Sequence, residues 1–202
     1  MSPRTQEAYQ VIRDERQEQI LKAALNCFAS QGFSAAKITD IAAAAGVSYG
    51  LVDHYFGKKE ELYTAAVERA YRGALDLLEA ALRLPLSPWE QLRFICAEML
   101  DGVQKSPDYV LLVNQAKSEP AIPEESRATF RVYEERSLDI QADLIRRGQA
   151  AGEIIAGDPV ELVMAFTAVI QGLAVQWMDV GSREEFRPHF PSPETVLRIL
   201  KA

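Results

Sequence analysis

The chain has 202 residues, is 48% hydrophobic and 25% charged, and holds two cysteines and two histidines; it is long enough to bury a core without disulfides or metal, and it has no zinc-ligand spacing. The polar segment Met1–Arg16 lacks the apolar centre of a signal peptide, so no export is expected. Net charge is −7, and residues 1–62 carry seven Lys or Arg against eight Asp or Glu, so composition alone does not point to nucleic acid.

Helical periodicity runs through almost every segment, with no strand-like alternation and no repeat. A first helix is predicted from about Tyr9 to Gln31, with Ile20, Leu21, Ala24, Leu25 and Phe28 as its apolar stripe and Gly32 as its stop. Cys27 and Cys96 each fall inside apolar helical patterns and read as reduced core thiols. A short helix follows over about Lys37–Ala45. Gly46 turns the chain, and Ser48 caps a second short helix ending near Tyr55. A long helix is expected from Lys58 to about Leu84, stopped by Pro85. Ser87-Pro88 and Ser106-Pro107 start two more. Next come a helix over Glu124–Ala151 and an apolar helix after Asp158-Pro159 reaching about Val180. A final helix from Ser192-Pro193 through Leu200 closes the chain. The stretch Val160–Met178 is long enough to span a bilayer, but Glu161, Gln171 and Gln176 interrupt it and no basic flank marks an inner side. It reads as a buried helix, so no membrane is expected. The architecture is all-α with about nine helices: an N-terminal helix-turn-helix domain over residues 1–62 and a larger helical bundle over residues 63–202.

The segment Ile38–Phe56 carries the functional signal. Two short helices must cross steeply at a tight turn, where Ala42 and Ala45 permit close approach and Gly46 supplies the turn. Val47, Val52 and Phe56 are placed to hold the second helix to a core. Ser48, Tyr49, Gly50, Leu51, Asp53 and His54 then remain for outward roles.

Thr39-Asp40-Ile41-Ala42, Ala45-Gly46-Val47-Ser48 and His54-Tyr55-Phe56-Gly57-Lys58-Lys59-Glu60-Glu61-Leu62 resemble the DNA-binding domain of the TetR (tetracycline repressor-like) family across about Gln19–Val67. Gly148–Ile154, Asp158-Pro159 and Gln171–Ala174 resemble that family's closing helices more weakly. The resemblance implies that the Ser48–Tyr55 helix enters the major groove of a double-stranded DNA operator. Tyr49 and Gly50 would sit at the base edges, Tyr49 contacting base or phosphate and Gly50 letting the backbone approach, and Leu51 could touch a thymine methyl. Thr39, Ser48, Tyr55 and Lys59 would meet phosphates, with His54 on the groove side. Arg4, Arg13 and Arg16 could reach the backbone or minor groove. Asp53 stands where many members carry an aromatic residue; it either specifies cytosine or pairs locally with a neighbour such as Lys58.

After Pro159, Ala165, Ala168, Val169, Gly172, Leu173 and Gln176 share one helical face rich in small residues. That face suits a helix–helix contact, either within the subunit or across a homodimer; the resemblance implies a four-helix dimer contact. It also implies a pocket for a small-molecule effector in the C-terminal bundle, with Trp89, Phe94, Met99, Leu112, Gln115, Phe130, Tyr133 and Phe166 as candidate lining and plain core packing as the alternative. The expected function is a cytoplasmic, ligand-responsive transcriptional regulator, with repression as the family default. The alternative is a helical small-molecule-binding protein or enzyme that retains the helix-turn-helix as scaffold. No nucleophile–base pair, metal cluster or phosphate loop supports an enzyme, and no cofactor is implied.

Overall fold

A computed structural model describes residues 3–181 and 184–202, with side chains for residues 8–117, 119–124, 126–181 and 184–202. The elements are α1 (Pro3–Ala35), α2 (Ile38–Ala44), α3 (Tyr49–Phe56), α4 (Lys59–Arg83), α5 (Pro88–Lys105), α6 (Asp108–Ser118), α7 (Glu124–Ala150), α8 (Pro159–Val180) and α9 (Pro193–Leu197), with a 3-10 segment at Glu184–His189. The all-α architecture stands.

Punctuation in the sequence sets most boundaries. Ser87 and Glu90 satisfy each other's backbone N–H groups at the start of α5, at 3.3 and 3.0 Å. The Asp158 carboxylate accepts from the N–H groups of Val160 and Glu161 at 2.8 and 3.1 Å, opening α8. Helical backbone breaks at Gly32, where φ is +76°, a conformation cheap only for glycine.

Two expectations need correction. α1 begins at Pro3 rather than near Tyr9, so residues Pro3 to Ala8 extend it beyond the expected start. No apolar stripe marks them, so core periodicity could not find them. The last helix stops at Leu197 rather than Leu200: the chain leaves it to bond with the segment after α7, Ile155 N–H donating to the Leu200 carbonyl at 3.1 Å and Ala202 N–H to that of Glu153 at 3.3 Å.

Two apolar clusters organise the packing. The first joins α1, α2, α3 and the first half of α4, from Leu62 to Tyr71, and also takes in Leu112, Ala116, Ile122 and Phe130 from α6, the connector and α7. The second gathers Leu78 and Ala81 of α4 with α5, the later part of α7, α8 and α9. α4 therefore belongs to both clusters. The helix-turn-helix unit does not stop packing at residue 62, because α6 and the start of α7 lie within its core.

α8 is long and apolar enough to cross a membrane by length and composition. It buries one face only, through Val163, Phe166, Ile170 and Ala174. Met164, Val175 and Met178 on its other side are exposed, so "buried helix" describes half of it.

Candidate nucleic-acid interface

The helix-turn-helix is built from the turn outward. After α2, Gly46 adopts φ +63°. Its N–H donates to the Ala43 carbonyl and that of Val47 to the Ala42 carbonyl, both at 3.0 Å. This pair of bonds is the Schellman arrangement that ends a helix at a left-handed residue. It also delivers Val47 to the core. The Gln19 amide of α1 donates to the Ala45 carbonyl at 2.7 Å, bracing the turn. Ser48 then caps α3, its hydroxyl accepting from Leu51 N–H at 3.3 Å.

α3 divides as its spacing demands. Val52 and Phe56 are buried in one cluster with Ile41, Ala42 and Ala45. Tyr49, Gly50, Asp53 and His54 face solvent, and Leu51 and Tyr55 are half-buried. Tyr49 is 53% exposed, a large apolar area left uncovered at the helix start. A Cβ added at Gly50 would meet nothing within 4 Å, so close packing at that position does not require glycine. Asp53 makes no ion pair with Lys58 among the described residues; its carboxylate stands free on the Tyr49 side of the helix, one turn on. The local pairing considered from sequence is not formed.

The flanking positions are more constrained than the sequence implied. Thr39 is exposed, its hydroxyl donating to the Asp40 carboxylate at 3.3 Å. The Tyr55 ring packs on the first cluster, His54 against its edge with ring centroids 5.5 Å apart, and the Arg13 guanidinium lies 6.0 Å from its centroid. Lys59, the first residue of α4, donates to the Ser34 carbonyl at 3.2 Å and sits 4.8 Å from the Phe33 ring centroid. The Arg4 side chain lies outside the described residues. Arg69 of α4 bonds both Glu18 of α1 and the Tyr109 hydroxyl of α6. That link, like the Gln19 brace, joins residues far apart in the chain and left no pattern to read.

The eight candidate ligand residues divide between the two apolar clusters. Leu112, Phe130 and Tyr133 pack in or against the first cluster, and the Gln115 amide donates to the Ala29 carbonyl of α1 at 2.9 Å. Phe166 is buried in the second cluster, with Trp89, Phe94 and Met99 packed against it. Trp89 also lines an open groove of about 470 Å³ with Arg93, Glu194, Leu197, Arg198 and Lys201. Apolar spacing marks burial but not a shared destination. On α8, Ala165, Ala168, Gly172 and Gln176 are exposed and Val169 and Leu173 half-buried, so the face rich in small residues lies at the surface of a single subunit.

Both thiols are held protonated. Burial, with the Glu194 carboxylate second, pushes Cys96 up to about 12. Burial, with Asp40 second, raises Cys27. No group of three or more His, Cys, Asp or Glu that could hold a metal occurs among the described residues.

The sequence model for bacterial regulatory proteins of the tetR family matches residues 20–66, the span from the first buried turn of α1 into α4. The chain is 29% identical over 140 residues to the HTH-type transcriptional repressor NicS of Pseudomonas putida, covering 69% of this chain and 66% of that protein. It is 33% identical over 137 residues to the HTH-type transcriptional activator FasR of Mycolicibacterium smegmatis, covering 67% and 61%. The chain thus spans about two thirds or less of these two regulators. Its fold matches that of a Saccharomonospora viridis protein solved in complex with choline, with a TM-score of 0.70 at 23% identity over 94% of this chain and 99% of the other. The matched span coincides with the helices that bury Val52 and Phe56 and expose Tyr49 and Asp53, and on that agreement the chain belongs to the tetR family of bacterial regulatory proteins.

Proposed function

We propose that the protein is a homodimeric, sequence-specific DNA-binding regulator of transcription whose hold on its operator is set by a small molecule. The observation that carries this reading is α3: a capped helix pinned by Val52 and Phe56 that offers Tyr49, Gly50, Asp53 and His54 to solvent. Such a helix fits the major groove with its N-terminal residues at base edges. Tyr49 and Asp53 are the base-reading pair, and the Asp53 carboxylate, free of local pairing, is suited to accept from cytosine N4. Ser48, Thr39, Tyr55 and Lys59 provide the phosphate side of the contact.

One reading head covers few base pairs, so two related by a two-fold axis would read half-sites about 34 Å, or a multiple of it, apart. The exposed α8 face supplies the dimer contact, Ala165, Ala168 and Gly172 allowing close helix approach. Effector control fits the shared first cluster. Leu112, Ala116 and Phe130 pack in the core that positions α3, so a ligand favouring another placement of α6 or α7 would alter the spacing of the two heads. Relatives bear the names of both a repressor and an activator; we favour repression by operator occupancy, in the cytoplasm.

The test is recovery of bound duplexes from a random pool, repeated with a panel of small metabolites including choline. A recurrent, roughly two-fold symmetric sequence whose retention changes with one metabolite supports the reading. A pool that stays random after repeated rounds removes it.

A further inference from the structure

We propose that the N-terminal half of α1 is a second DNA-contacting element, with the face that carries Tyr9, Arg13 and Arg16 lying along the phosphate backbone beside the α3 site. This inference rests on the DNA-reading function proposed above.

The helix continues well past the core that needs it. Among the described side chains of α1 the first buried one is Ile20, and the turns back to Tyr9 project about 16 Å beyond it at ~1.5 Å per residue. Tyr9 and Ile12 are 60% and 54% exposed. From Tyr9 to Arg16 every side chain is exposed.

Its charges are sorted by face. Tyr9, Arg13, Arg16 and Ile20 follow each other at spacings of four, three and four, forming one stripe. Asp14, Glu15 and Glu18 fall on the opposite side. Net charge along the segment therefore misleads, because the two signs point apart.

The fold decides which way each face looks. Arg13 lies over the Tyr55 ring at the C-terminal end of α3, and Gln19 bonds the turn before α3. Glu18 is tied to Arg69, which also holds Tyr109 of α6. The basic face thus lies on the reading-head side and the acidic face towards α4 and α6. Neither Arg13 nor Arg16 has an ion pair among the described residues; Arg16 donates only to the Gln19 amide oxygen, at 2.8 Å. Two guanidinium groups without counter-ions, continuous with the α3 surface, complement a polyanion. The occupant is duplex DNA, touched through its backbone without regard to sequence.

The test uses the full chain, a duplex recovered from the random pool and an unrelated duplex of equal length, with binding followed by anisotropy over a salt series. R13Q/R16Q should lower the salt slope by about 0.9 per arginine and weaken both duplexes on the order of ten-fold per arginine near about 0.1 M salt. The recovered sequence should not change. R13K/R16K should restore most of the slope, and D14N/E15Q on the far face should leave it in place. Matched helix content by circular dichroism establishes that the variants are folded. Wild-type-like slope and affinity in R13Q/R16Q would overturn the proposal, as would an equally large shift in D14N/E15Q. If the wild-type chain itself binds neither duplex, the α3 reading fails and the arm falls with it.

Discussion

Lys59 tests most directly whether the entry to α4 is built for DNA or for stability. A cation at the first position of a helix opposes the macrodipole, at a cost of about 0.3–1 kcal/mol. Its hydrogen bond to the Ser34 carbonyl and its place over Phe33 offset that cost. A cation–π contact at a partly exposed site contributes about 0.5–1 kcal/mol. Ser34 is exposed, so water can replace the lost donor in Lys59→Ala. The opposing terms leave a net change within about 1 kcal/mol of zero, or about 2–4 °C in melting temperature for a chain of this size. Binding should respond differently. Loss of one phosphate contact lowers the salt slope by about 0.9 per protomer and weakens all sequences alike, by roughly eight-fold near about 0.1 M salt. Thermal melting and salt-series anisotropy on one preparation separate the outcomes. A lower melting temperature with affinity and slope unchanged would make Lys59 a clamp between α4 and the end of α1, and would refute its phosphate role.

Three further outcomes are expected. Tyr49→Ala should change the sequence recovered from a random pool more than it changes affinity for unrelated DNA; an equal loss on every duplex counts against base contact. A Cβ added at Gly172, which is exposed, meets no heavy atom within 4 Å, and replacing a helical glycine favours the helix by up to about 1 kcal/mol. Gly172→Leu should therefore keep the fold while weakening the dimer, and an unaltered sedimentation coefficient would reassign the α8 face. The folded chain keeps the Cys96 proton up to about 12, whereas the ordinary thiol loses it near 9.0. The stability this group contributes is complete below pH 9 and is lost as pH rises towards 12. Denaturant midpoints should fall over that window less steeply in Cys96→Ala than in the wild type, and parallel declines would remove the thiol from the account.

The helix-turn-helix was legible because its constraints are local. A glycine in a left-handed turn, small residues at a close crossing, a serine cap and apolar residues at helical spacing all act within a few residues of Gly46. Their inward and outward assignments at Val52, Phe56, Tyr49 and Asp53 follow from periodicity alone. The same holds for the Ser-Pro and Asp-Pro starts of α5, α8 and α9, where a cap and a proline occupy adjacent positions. The turn of α1 before Tyr9 was hidden because Pro3 to Ala8 repeats no apolar residue at helical spacing.

Spacing along one helix states which residues are buried, but not which other helix buries them. Trp89 and Leu112 look alike as candidate pocket residues, yet they join different clusters, because that choice depends on how α4, α6 and α7 cross. The helix-turn-helix and its apolar faces were determined by the sequence through contacts close in the chain. Tertiary structure alone decided the inclusion of α6 in the reading-head core, the Glu18–Arg69–Tyr109 tie and the direction of the arginine face of α1. Each depends on groups 40 or more residues apart, or on a ring brought beneath Arg13 by folding, and no local pattern records such meetings.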